Sequence, residues 1–180
     1  MNEIIINQTK KWIEQVVIGC NFCPFAAKEF THDTIAYRVE SSRDIKICLQ
    51  AFLQECEKLR DDAAIATSFL IFETAFTKFR DYLDFVALVE KHLRKHGFEG
   101  VFQVASFHPD YCFANAPADD AANYTNRSIY PMLHLLREAG MEQALTNFPN
   151  PGTIPERNIA FARAKGTAYM QQLREACMQL

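Results

Sequence analysis

Two stretches of the chain concentrate side chains that do chemistry. The first is the turn Cys20-Asn21-Phe22-Cys23-Pro24, in which two thiols sit three residues apart. The second runs from His108 to Arg137 and carries His108, Asp110, Tyr111, Asn123, Tyr124, Asn126, Arg127, His134 and Arg137, with Asp119 and Asp120 among them. The CxxC pair has three readings. As a redox pair, one thiol at a helix start would have its thiolate favoured by the helix dipole. As a metal half-site, Cys20 and Cys23 need partners, and the His108-x-x-x-Cys112 spacing would complete a Cys3His set for a zinc or iron ion. As core residues, the cysteines would be buried beside Phe22 and Phe25.

In the second stretch, His108 is the natural general acid/base, because an unperturbed imidazole titrates at ~6.5. Asp110 would orient it. Arg127 and Arg137 match a carboxylate or phosphate, whose oxygens fit the guanidinium fork. Tyr111, Asn123, Tyr124, Asn126 and His134 complete a substrate-binding set. A polar segment of this length is uncommon in a compact domain unless it is functional or disordered, and its aromatic residues argue against disorder. The competing reading is an ordered loop whose Asp, Asn and Arg side chains satisfy its own backbone.

These residues need elements to hold them. A helix is expected over 7–18, with Trp12, Ile13, Val16 and Val17 on one side. Residues 34–40 alternate as a half-buried strand does. Ser41 and Asp44 resemble a capping box before a helix carrying Ile45, Leu49, Phe52, Leu53 and Cys56. A buried strand follows over 64–73, a helix over 78–96 stopped by Gly97, and a third strand over 101–107. Ligand sites in parallel sheets lie beyond the carboxyl ends of strands, and His108 follows this third strand directly. A short helix is expected over 131–139, placing Tyr130, His134 and Arg137 on one face. After the Pro- and Gly-rich stretch 147–152, Thr153 and Glu156 form another capping box opening a long helix to about Met178.

The order strand, helix, strand, helix, strand predicts an α/β fold. It would be a single domain over 1–180, with a central, mostly parallel sheet of at least three strands and crossover helices. A ferredoxin-like α+β sheet is the alternative. At 49% apolar and 23% charged residues, with 15 Phe, the composition supports a well-filled core. The net charge of −3 and the lack of a basic stripe argue against nucleic acid as a partner. No apolar run approaches the ~18 residues of a membrane span, and the N-terminus lacks a signal peptide's apolar region. A cytoplasmic location with reduced thiols is expected.

Three blocks resemble one family, DUF1415. They are the cysteine turn through Ala26, the run Phe102 to Tyr111, and the pair Asn123 to Ser128 and Tyr130 to Glu138. The resemblance covers almost the whole chain but implies no reaction, because the family's function is unassigned. Cys112 stands where the family pattern has Gln, and Ile129 where it has Pro. The first departure makes Asp110 or His134 a better metal partner than Cys112.

Together these readings lead to a small cytoplasmic enzyme, of a hydrolytic or thiol- or metal-dependent kind, acting on a small polar or anionic substrate. His108, Asp110, Cys20 and Cys23 would be its catalytic residues. A ligand- or protein-binding module and a CxxC redox protein are the alternatives.

Overall fold

The computed structural model describes residues 1–146 and 150–179. Four strands form one sheet: β1 (Ile35–Glu40), β2 (Thr67–Phe72), β3 (Phe102–Phe107) and β4 (Met132–Arg137), in the order β1-β2-β4-β3. β1 and β2 pair in parallel, and β4 pairs antiparallel to both β2 and β3. Three strands therefore run one way, with β4 inserted against them. The class is α/β, as expected. The ferredoxin-like alternative does not hold, because the chain runs β-α-β-α-β-β and β1 pairs only with β2.

The period of two along each strand sorts side chains into two cores. Leu70, Phe72, Phe102, Leu133 and Leu135 face one side. There they meet α3 (Ile45–Asp61) and α4 (Phe79–Lys95), whose Phe52, Leu59, Tyr82 and Val89 are buried. Ile35, Phe69, Ile71 and Met132 face the other side, with Phe107 packed beside them. That side is covered by α1 (Asn2–Trp12), a π-helical turn over Ile13–Ile18, the short α2 (Ala26–Thr31) through Phe30, and the C-terminal α6 (Ile154–Lys165) and α7 (Thr167–Ala176). The result is a layered α/β/α body.

Helices α3 and α4 lie close to their expected positions. The cap of α3 is Asp44 alone, whose carboxylate accepts from Lys46 N at 2.7 Å and from Ile47 N. Ser41 instead donates to Glu73, so there is no capping box there. Thr153 likewise makes no cap bond at α6 and donates to Asn150 O. The single long C-terminal helix is in fact two, broken at Gly166 with φ of 82°. A left-handed φ cannot continue a helix, and glycine adopts it without strain.

The larger correction concerns 131–139. Residues Met132–Arg137 form β4, and only the following Glu138–Thr146 is helical, as α5. Met132, Leu133 and Leu135 are fully buried, because β4 has a neighbour on each edge and a core on each face. Such a strand shows no alternation, so its apolar run fits a helix or a strand equally well. Part of the 147–152 turn lies outside the described residues.

Candidate functional site

As a strand, β4 sends His134 and Arg137 to opposite faces of the sheet. Arg137 turns toward α3. Its guanidinium donates to the main-chain carbonyls of Leu59, Asp62 and Ile65 and lies 5.9 Å over the Phe102 ring. It fastens the α3–β2 connection to the sheet and is not held open for an anion.

His134 lies on the face covered by α1. Its ring stacks on Phe69, the residue opposite it on β2, with centroids 3.9 Å apart and planes 8° from parallel. Its Nε2 is 2.6 Å from Thr67 Oγ1, and that hydroxyl donates to Leu135 O. The hydroxyl has one proton. Directed at the carbonyl, it leaves a lone pair for an imidazole N–H, which assigns His134 the neutral Nε2–H tautomer. Burial pushes its pKa down from 6.5 to about 3.

His134 borders a cavity of about 290 Å³ between α1, the π-helical turn, the sheet and α5. Its wall is mostly apolar and aromatic, with Trp12, Phe25, Phe69 and Phe107 prominent, and Cys23 and Thr67 beside them. The space is partly open to solvent, so it is a concave pocket and not a closed interior void. Ile35 and Thr67, the first residues of β1 and β2, lie on its border. The space therefore lies over the sheet face, not beyond the carboxyl ends of the strands where the parallel-sheet rule pointed.

A second cavity of about 280 Å³ lies on the far side of Val17, Cys23 and Phe107, which border both spaces. Phe22, Phe113, Thr125 and Asn126 line it. Here the cysteine turn and the loop after β3 meet in space. The π-helical turn places them, since Ile13 and Val17 project from it into the first cavity. Gly19 ends that turn, and a Cβ there would stand 2.2 Å from Gln15 O. The φ and ψ of Gly19 are ordinary right-handed helical values, so it is the closeness of the Gln15 carbonyl that favours glycine there.

His108 is elsewhere. It is fully buried, its ring 5.2 Å from those of Phe79 and Tyr82. Its Nδ1 accepts from Asp110 N at 2.9 Å, and its Nε2 therefore carries the proton donated to Phe76 O at 2.8 Å. Both ring nitrogens are committed to backbone. Burial lowers its pKa, against smaller raising effects from the Phe76 bond and the Asp110 charge. A general acid/base needs a nitrogen that reaches a substrate, and His108 has none. Asp110 contacts it through main-chain N–H, not through its carboxylate.

The rest of the loop is similarly self-satisfied, as the competing sequence reading held. Buried Asn123 accepts from Phe113 N and donates to Pro117 O. Arg127 donates to Tyr111 O and Ala118 O and lies 4.8 Å over the Tyr124 ring. Arg174 covers that ring at 5.6 Å and donates to Pro109 O. Asn126 donates to Ser106 O, and Tyr111 packs on Phe79 and Phe113. Asp120 caps a 3-10 turn over Ala121–Thr125 and binds Arg163 at 2.7 Å.

Cys20 is buried in the core, whereas Cys23 borders both cavities. Burial raises both thiols above their ordinary pKa, opposed in Cys23 by hydrogen bonds from the backbone of Phe25 and Ala26. Among the described residues, no three His, Cys, Asp or Glu side chains come together to hold a metal. His108 cannot join Cys20 and Cys23, and Cys112 donates to Ala116 O. The Cys3His set is not assembled.

The sequence pointed to Cys23, His134 and Arg137 near this cavity but missed Trp12, Thr67, Phe69 and Phe107. Apolar residues at regular spacing look like any core, and only the tertiary structure separates a cavity wall from a filled interior. Among the described residues, no helix is long and apolar enough to cross a membrane.

The chain belongs to the family described as a protein of unknown function, DUF1415, whose profile matches residues 4–172. No curated protein and no solved structure matches it.

Proposed function

We propose that this DUF1415 protein binds a small, largely apolar molecule in the cavity between its amino-terminal helix and its sheet. The observation that carries this reading is the wall itself. A concave, mostly apolar space of about 290 Å³, partly open to solvent, is edged by four aromatic rings and by a His134–Thr67 pair. Small-molecule sites have this character, an apolar lining with a few placed polar groups. The volume is about twice the ~150 Å³ that accommodates one benzene ring, so a two-ring or ring-plus-chain molecule fits. The anionic substrate expected from the sequence loses its anchors, because Arg127 and Arg137 hold main-chain carbonyls.

Ala105 on β3 supplies the test, since it lines the cavity and pairs with His134. Uncharged one- and two-ring compounds are screened by ligand-observed NMR against wild type and Ala105→Phe. Binding to wild type that is lost in a folded Ala105→Phe supports the reading. No binding, or binding indifferent to the added ring, sinks it.

A second reading rests on the placement of Cys23 between the two cavities: a thiol-dependent enzyme acting on the bound molecule. Its six free cysteines suit a reducing compartment such as the cytoplasm. Against it stands the raised pKa of Cys23, which leaves little thiolate near neutrality. Alkylation of Cys23 near pH 7 faster than that of free cysteine would support this reading, and slower alkylation would remove it.

A further inference from the structure

His134 brings two ring nitrogens to the wall of the cavity, and they differ. Nε2 is tied to Thr67 Oγ1 at 2.6 Å. That hydroxyl lies 2.5 Å from Leu135 O, and two oxygens this close need a proton between them. The hydroxyl proton is therefore spent on the carbonyl. Nε2 carries the proton of the imidazole, and Nδ1 is a bare lone pair. Burial, which pushes the pKa down to about 3, keeps it bare near neutrality.

Nδ1 makes no hydrogen bond among the described residues. The described side-chain nitrogens and oxygens that are both unpartnered and shut off from water are Trp12 Nε1, His92 Nδ1 and Arg174 Nε. His134 Nδ1 is unpartnered but not shut off, so a water-sized molecule reaches it. The sheet fixes the direction of approach. β4 lies between β2 and β3, the ring is stacked on Phe69, and the side chain projects to the face covered by α1. The opening that His134 borders on that face is the cavity.

The other polar groups on this wall are committed. Arg137 holds carbonyls of the α3–β2 connection, and Cys23 takes the backbone N–H groups of Phe25 and Ala26. The Glu29 carboxylate accepts from Thr34 at 2.6 Å and faces Lys28 at 3.6 Å. Among the described residues, Arg137 and His134 are the only basic ones on the border. Neither is free to neutralise a bound anion, and burying an unpaired charge is costly. An apolar occupant that covered Nδ1 without donating to it would strip the lone pair of water and leave it unpaired.

We infer that the molecule held in this cavity is uncharged and largely apolar, and donates one hydroxyl proton to Nδ1 of His134. This inference rests on the cavity being a binding site. It adds the chemical class of the occupant: a phenol or a comparable apolar alcohol, in preference to a hydrocarbon, a ketone or a carboxylate.

Three probes separate the possibilities: p-cresol, p-xylene of the same shape, and 4-methylacetophenone, which accepts but does not donate. They are titrated into protein carrying 15N-labelled histidine, beside His134→Phe. The variant keeps a ring to stack on Phe69 and removes both nitrogens, so the His134 resonances are those it lacks. The ratio of p-cresol to p-xylene affinity is expected to be about five- to tenfold higher in wild type than in the variant, the value of one net hydrogen bond. Comparing ratios cancels the difference in hydration between the probes. Of the three, p-cresol alone should move the Nδ1 resonance upfield, as its lone pair accepts a proton.

An equal ratio in the two proteins would overturn the inference and leave the cavity reading standing. So would p-cresol bound with the Nδ1 resonance unmoved, a measurement that decides alone should His134→Phe fail to fold. A ketone preference that vanishes in the variant would mean that Nδ1 carries a proton, and would overturn the hydroxyl class. If none of the three binds, the cavity reading falls and the inference with it.

Discussion

His134 on β4 lies face to face with Phe69 on β2, their ring centroids 3.9 Å apart across an antiparallel pair. The stack places an imidazole in an aromatic wall and leaves it one close polar partner, Thr67 Oγ1 at 2.6 Å. Stacking and enclosure together keep the ring neutral.

That neutrality has a pH signature. The folded pKa of about 3 lies below the ordinary 6.5, so the unfolded chain binds the proton more readily between those values. Stability from this group is fully present above pH 6.5 and is lost as pH falls through that window toward 3. Between about pH 7 and 5 the loss amounts to about 2 kcal/mol at most. Urea unfolding at the two pH values should show this drop in wild type and a smaller one in His134→Phe. His108 is shifted in the same direction and leaves the variant some residual dependence. Identical drops in the two proteins would mean that His134 is not held neutral.

His108 should matter for folding rather than for ligand. Removing its ring in His108→Ala deletes bonds to Phe76 O and Asp110 N from a fully buried position. A loss of about 2–4 kcal/mol is expected, combining two hydrogen bonds with a cavity. Chemical denaturation measures it. The folded fraction should bind the cavity's ligand with unchanged affinity. A stable variant that has lost binding would restore His108 to the site.

Arg137→Lys tests the staple on the other face. One ammonium cannot replace a planar fork that reaches Leu59, Asp62 and Ile65 carbonyls together. The variant should lose about 0.5–1.5 kcal/mol, the net worth of a hydrogen bond at these part-buried carbonyls. Hydrogen exchange should accelerate first in the 62–66 connection. Unchanged exchange there would refute the staple.

Gly19→Ala should disturb the cysteine turn. Its Cβ would stand 2.2 Å from Gln15 O, a contact that forces backbone movement. Overpacking of this kind costs about 1–3 kcal/mol. A lowered melting temperature with altered Cys23 alkylation is the expected result. A neutral substitution would show that the turn tolerates a side chain.

The buried thiols predict an order of modification. Burial pushes Cys48 up to about 11 and Cys56 to about 12, and both are wholly inaccessible. Peptide mapping after iodoacetamide treatment of native protein should find both unmodified until denaturant is added. Early labelling of either would show that the α3 face opens readily.

Much of this protein was legible without coordinates. Strand β1 and helices α3 and α4 follow from local periodicity, because each has a face or stripe whose burial the pattern records, whereas β2, buried throughout, follows from its run's length and its Ile, Thr and Phe. The clustering of polar groups after β3 and the CxxC turn is likewise visible in the chain. The remainder depends on residues distant in sequence. β4 reads as a helix because its run is apolar on both faces, and only its pairing with Phe69 and Ala105 makes it a strand. The roles of His108, Arg127 and Arg137 were decided by the main-chain carbonyls that folding brought to them, and residue type carries no record of such partners. Trp12, Phe69 and Phe107 read as ordinary core. Whether three rings enclose a filled interior or an open cavity is a matter of packing between segments. The sequence by itself therefore determined most of the elements and which groups are available, and the tertiary structure alone decided that β4 is a strand and which groups are committed.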